Sequence, residues 1–176
     1  ALNVVSTGIL SREGIFDEIW IQPAAGDAGG ALGACLWMWH QVLGKSRAVG
    51  KPDSMSGAFL GLEIPSYSEE DDAVLRRMGA VWEEMEEEQL QDAIAEAIDR
   101  GEIVAVARGR AEFGPRALGS RSILADARSQ KMQSHLNLQV KFRESFRPFA
   151  PMVLAEDARE YFDIPQESPY MLLCYP

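Results

Sequence analysis

Apolar residues change their spacing along this chain, and the changes mark its elements. Phe16–Gln22 (FDEIWIQ) alternates and carries Ile19, Trp20 and Ile21, the pattern of a strand. From about Ala28 to Leu43 the apolar spacing is helical and predicts a buried helix. Residues 1–10 read as a short helix ending near Thr7-Gly8, and Phe59–Ile64 as a short strand. Pro65-Ser66-Tyr67-Ser68 leads into a helix over Glu69–Met78. The acidic run Glu83–Glu88 opens another helix, with Leu90, Ile94, Ala97 and Ile98 on one face and Arg100-Gly101 as its stop. Ile103–Ala107 and Ser122–Ala125 predict strands, and Ser129 caps a helix to about Leu138. Phe149–Leu154 predicts a strand, Glu156–Phe162 a helix, and Tyr170–Tyr175 a last strand.

Strands interleaved with helices define an α/β chain. The polar connection 44–56, with Gly50, Pro52 and Asp53, precedes a boundary region. The expected division is 1–66, a linker at 67–85, and 86–176. The chain starts inside an apolar run (Ala1-Leu2-Asn3-Val4-Val5) and stops as a strand forms. It therefore reads as a piece of a longer polypeptide.

Composition narrows the class. With 176 residues and 47% hydrophobic content, the chain can bury a core. No run of eighteen apolar residues predicts a membrane span, and no basic-then-apolar leader opens the sequence. Cys35 and Cys174 have no metal-binding or disulfide spacing, so a reducing cytoplasm is the expected compartment. A net charge of −10 disfavours nucleic acid as a partner.

Against that acidity stands one basic region. Residues 101–147 hold nine Lys/Arg and four Asp/Glu, a balance of +5, so the remainder carries −15. Arg110, Arg116, Arg121, Lys141, Arg143 and Arg147 are interleaved with Phe113, Phe142, Phe146 and Phe149. A cationic island in an anionic protein faces an anion, and guanidinium groups take phosphate bidentately. Glycines beside the arginines would let backbone N–H groups approach that anion. The alternative is a set of surface arginines paired with Glu112, Glu144 and Asp126.

The second constellation is the loop Gly26-Asp27-Ala28-Gly29-Gly30, set between the predicted strand and helix. A small-residue loop at a helix N-terminus suits phosphate. Asp27 then has two readings: a cap for the helix, or a ligand for a divalent cation that reconciles it with phosphate. His40 and His135 sit in helical contexts that point to structural or surface roles.

Four strings carry more than physics: FDEIWIQPAAGDAGGALGACL (16–36), GRAEFGPRALGSRSILADARS (109–129), LNLQVKFRESFRPFAPMVLAEDAREYFD (136–163) and SPYML (168–172). With the ALN opening, in this order, they resemble the carbamoyltransferase family. This is the group of nodulation (NodU-type) and antibiotic (CmcH-type) O-carbamoyltransferases. Residues 44–100 match only weakly. The resemblance implies the tail of an actin-like ATPase-fold domain followed by part of a YrdC-like α/β domain, a mixed sheet with flanking helices. It also implies formation of carbamoyladenylate from carbamoyl phosphate and ATP, then transfer to a hydroxyl of a small acceptor.

Carried over residue by residue, Asp27 matches a ligand of the family's divalent metal, iron by resemblance. Asn3 matches a position near the nucleotide, and Gly26, Gly29 and Gly30 the turn that admits it. Lys141 and Arg147 match residues holding carbamoyl phosphate and the adenylate, and Arg116 and Arg121 line the same region. The family's upstream histidines lie outside this chain, so the metal site is expected to be incomplete. The implied partners are the nucleotide and a small hydroxyl acceptor, with no membrane, and homo-oligomerisation stays open. The competing classes are a threonylcarbamoyl-type tRNA-modification enzyme and a non-catalytic nucleotide-binding module. A hydrogenase-maturation relative is set aside because its zinc-finger cysteines are not seen.

Overall fold

In a computed structural model, residues 1–50 and 53–176 are described; Lys51 and Pro52, part of the expected polar connection, lie outside them. The elements run α1 (Val4–Arg12), α2 (Asp27–Trp37), α3 (Glu69–Arg77), α4 (Glu87–Asp99), β1 (Val104–Ala107), β2 (Arg121–Leu124), α5 (Met132–His135) and α6 (Ala158–Tyr161). A π turn, Met38–Val42, extends α2, and another, Leu136–Val140, extends α5. The only sheet among the described residues is the antiparallel pair β1–β2.

The helices follow local rules. Asn3 caps α1, its Oδ1 accepting from the Ser6 N–H at 3.1 Å. Ser68 and Asp71 form a reciprocal capping box at the start of α3, with four acids in its first turn and two arginines in its last. The helix expected at 129–138 begins later than its sequence suggests. Its first residue is Met132, and Ser129 contributes its backbone carbonyl to the Met132 N–H and no side-chain cap.

The helix expected over 28–43 is present but not buried. None of its residues is buried, and Trp37 is 61% exposed. Four expected strands are absent. Phe16–Gln22 pairs with no strand; the Gln166 side chain takes that place, accepting from the Ile19 N–H (3.4 Å) and donating to the Ile19 carbonyl (2.9 Å). Residues 59–64 form an isolated bridge to the 109–121 loop and no strand: the Gly61 N–H donates to the Ala111 carbonyl and the Ala111 N–H to the Leu62 carbonyl. Residues 149–154 are irregular. Tyr170–Tyr175 packs along α1, where the Thr7 hydroxyl donates to the Leu172 carbonyl at 2.5 Å and Arg12 to the Cys174 carbonyl at 2.7 Å. That approach requires Gly8, since a Cβ there would stand 2.2 Å from the Cys174 oxygen.

The chain divides into two compact units that interleave in sequence. Unit 1 comprises Ala1–Leu62, Arg108–Arg121 and Ala150–Pro176; unit 2 comprises Glu63–Ala107 and Ser122–Phe149. The core of unit 1 is Met55, Ala58, Tyr170 and Leu172, with Leu2, Ile21, Leu32, Phe113 and Leu118 packed on it. Phe113 and Leu118 anchor the basic 109–121 loop in this unit. The stretch 67–85, expected as a linker, belongs to unit 2 and carries α3 with an edge-on contact between Tyr67 and Trp82 at 5.9 Å.

Candidate functional site

The glycine loop of unit 1 is shaped by its own backbone. Gly26, not Asp27, is the N-cap of α2, with no side-chain cap. Asp27 is the first helical residue, and its carboxylate makes no hydrogen bond or ion pair among the described residues. The capping reading of Asp27 is thereby corrected. Gly29 is required by packing, because a Cβ there would lie 2.1 Å from the Ala24 oxygen. Gly30 borders open space, with nothing within 4 Å of a Cβ. Among the described residues no three of His, Cys, Asp and Glu gather around one point. Asp27 alone does not make a metal site.

The 109–121 loop reaches this glycine loop within unit 1. Gly114 has φ +135°, and a Cβ there would sit 3.1 Å from the Pro23 oxygen. Arg116 donates from Nη2 to the Leu2 carbonyl at 2.9 Å, while its Nε is buried with no hydrogen-bond partner among the described residues. Arg121 donates to three carbonyls, from Nη1 to Arg108 and Ser120 (both 2.8 Å) and from Nη2 to Gly109 (3.3 Å). Arg110 likewise donates to the carbonyls of Phe59 and Leu60. The backbone N–H groups expected to receive an anion already hold one. Glu112 Oε1 accepts from the N–H groups of Leu118 (2.7 Å), Ser120 (2.8 Å) and Arg121 (3.3 Å). Burial works to raise the Glu112 carboxyl, but those N–H groups outweigh it and hold it below the usual range.

The basic segment of unit 2 is arranged differently. Lys141 follows the π turn and makes no ion pair among the described residues. Arg143 donates to Asn137 Oδ1 at 2.6 Å and lies 5.0 Å over the Phe149 ring. Arg147 is half-exposed and stands 3.7 Å from Glu144, a loose contact. Arg147 is the only one of the six cations paired with a carboxylate among the described residues. His40 makes a surface contact through Nδ1 with the Lys45 carbonyl, 2.8 Å away.

The six cations thus fall three to each unit: Arg110, Arg116 and Arg121 in unit 1, and Lys141, Arg143 and Arg147 in unit 2. Sequence reading named Glu112 only as a carboxylate partner for surface arginines, a pairing it does not make among the described residues, and did not single out Asn137. It also passed over Asp53, which accepts the Tyr170 hydroxyl at 2.9 and 3.0 Å, the Met55 N–H at 2.7 Å and Trp20 Nε1 at 3.3 Å. Burial, followed by the Asp53 carboxylate, pushes the Tyr170 hydroxyl above its ordinary pKa. The only signal for Glu112 and Asn137 is an acid or amide in or beside a basic string.

Helices with one short antiparallel pair, joined by glycine- and arginine-rich loops, define a mixed α/β protein. Residues 1–36 match the family described as Carbamoyltransferase N-terminus, and residues 95–176 that described as Carbamoyltransferase C-terminus. The chain belongs to the carbamoyltransferase family. It is 51% identical to the Synechocystis protein sll1178 over 98% of this chain and 28% of the relative. It is 43% identical to nodulation protein NolNO of Sinorhizobium fredii, over 100% of this chain and 26% of the relative. It is 35% identical to the 3'-hydroxymethylcephem-O-carbamoyltransferase of Streptomyces clavuligerus, over 90% and 27%. The chain thus spans little more than a quarter of the length of these curated relatives. Among the described residues, no helix is long and apolar enough to cross a membrane.

Proposed function

We propose that this chain is part of an O-carbamoyltransferase that makes carbamoyladenylate from carbamoyl phosphate and ATP and passes the carbamoyl group to a hydroxyl of a small acceptor. The observation that carries the reading is the 141–147 segment. It presents Lys141 and Arg147 without a tight carboxylate partner, inside a stretch matched by the carbamoyltransferase C-terminus. The printed name of the Streptomyces clavuligerus relative, an O-carbamoyltransferase, supports a hydroxyl as acceptor.

In this reading the carbamoyl group leaves its own phosphate and is joined through oxygen to the α-phosphorus of ATP. One water is consumed, and inorganic phosphate and pyrophosphate are released. Lys141 and Arg147 neutralise charge on the phosphoryl oxygens, where fixed cations stabilise the transition state most. Arg116 belongs to the other unit, and its buried Nε, with no hydrogen-bond partner among the described residues, costs about 1–3 kcal/mol. Three carbonyl bonds support a bracing role for Arg121 in the loop. Asn3 caps α1, so its part near a nucleotide would be to hold the backbone of the ALN segment. Gly30 is the member of the glycine loop that leaves room for a ligand. Asp27 would contribute one ligand to a divalent metal whose other ligands are not supplied by the described residues. The actin-like and YrdC-like architectures belong to this proposal for the whole protein.

Carbamoyl phosphate-dependent ATP–pyrophosphate exchange tests it. The complete polypeptide should exchange, the 176-residue chain alone should not, and Lys141→Ala should abolish exchange. Nucleotide binding without exchange in the complete polypeptide would favour a binding module instead, and threonine-dependent modification of tRNA would favour the tRNA-modifying class.

A further inference from the structure

The cations of 141–149 stand on backbone that no regular helix or strand holds. What holds it is a buried amide. Asn137 is 0% exposed. Its Nδ2 donates to the carbonyls of Ser145 (3.1 Å) and Arg147 (2.8 Å), and its Oδ1 accepts from Arg143 Nε (2.6 Å). Its backbone carbonyl accepts from the Arg143 N–H at 2.9 Å. An amide has two donor hydrogens and one acceptor oxygen, and here all are matched. Gln133, four residues earlier on the same helical face, donates Nε2 to the carbonyls of Phe146 and Arg147, both at 3.2 Å. The π turn Leu136–Val140 widens the helix where Asn137 sits, a distortion frequent at functional sites.

We infer that Asn137 is a positioning residue for the anion-binding segment. It fixes the backbone between Lys141 and Arg147, so that both side chains project from a set frame while Asn137 touches no ligand itself. A neutral amide suits the position. A carboxylate there would bind Arg143 but would have no hydrogen to give the two carbonyls, and it would cancel part of the positive charge that receives the substrate. The inference rests on the reading of Lys141 and Arg147 as the carbamoyl phosphate site.

Asn137→Asp keeps the shape and the Arg143 contact while deleting both donors. In the complete polypeptide, the KM for carbamoyl phosphate should rise fivefold or more, with kcat changed less than threefold. Deuterium uptake should rise over 141–148 and stay unchanged over α4. A merely structural asparagine would reduce the folded fraction and leave KM alone. A KM rise below fivefold in the folded variant overturns the inference. If Asn137→Asp does not fold, Gln133→Ala decides, because that side chain is exposed. A threefold or larger KM rise with faster exchange over 141–148 supports the positioning role, and a smaller rise overturns it. Lys141→Ala and Arg147→Ala, measured in parallel, separate the two claims. Unchanged KM in both defeats the site reading; raised KM in them with unchanged KM in the amide variants defeats the positioning role alone.

Discussion

The two basic segments look alike as sequence and are built in opposite ways. In 109–121 the arginines hold the backbone: Arg121 and Arg110 end on carbonyls, and Glu112 fills the N–H cluster. In 141–149 neutral amides hold the backbone, and Lys141 and Arg147 remain available. The lesson concerns what braces a loop. A guanidinium committed to carbonyls is lost to a ligand, whereas an asparagine or glutamine in that role leaves the charge free. Arg116 stands between the cases, with one carbonyl partner and one unmatched buried nitrogen.

The sharpest way to break this contrast is to truncate an arginine from each segment. Arg147→Ala should lose about 2–4 kcal/mol of transition-state stabilisation, read as a 30- to 1000-fold fall in exchange rate. Its thermal midpoint should barely move, because its only ion pair among the described residues is loose and exposed. Arg121→Ala should do the reverse: about 1–3 kcal/mol of stability lost, with the residual folded enzyme close to full rate. Equal losses of stability in the two variants would erase the distinction.

Glu112 gives the next largest effect. Glu112→Ala strands three backbone donors and should cost about 2–3 kcal/mol by chemical denaturation. The carboxyl is held below its ordinary pKa in the folded chain, so its contribution is complete above the unfolded value of about 4.3. That contribution fades as pH falls through the folded value. Glu112→Gln keeps an acceptor without the charge. Its deficit against wild type should therefore be constant at neutral pH and close on acidification below about pH 4.3. A deficit that is the same at pH 7 and pH 3 would show that the charge is not what the N–H cluster recognises.

How much of this was legible depends on range. Helices α3 and α4 were readable because their signals are local: Ser68 with Asp71, and acids ahead of Leu90, Ile94 and Ile98. The strand at 16–22 was misread because alternation reports two faces, not a partner, and the structure gives Ile19 only a side-chain amide. The site divides the same way. The cations were visible as an excess of charge, but a carbonyl acceptor leaves no trace in sequence, so the bracing role of Arg121 was hidden. The bracing roles of Asn137 and Glu112 were hidden too, since their partners lie six to ten residues away in irregular chain.

Glu144 is the smallest and most discriminating lever. Its carboxylate lies 3.7 Å from Arg147 Nη1 with both side chains more than half exposed, so Glu144→Ala should change stability by under about 0.5 kcal/mol. If Arg147 receives an anion, removing a competing carboxylate frees it and lowers the local negative potential. The apparent KM for carbamoyl phosphate should then fall about twofold at low ionic strength, and the difference should shrink in about 0.5 M salt, where the screening length drops to about 4 Å. Were Arg147 instead a brace like Arg121, the same substitution would leave KM unmoved at every salt concentration, and the contrast between the two segments would reduce to a difference in exposure.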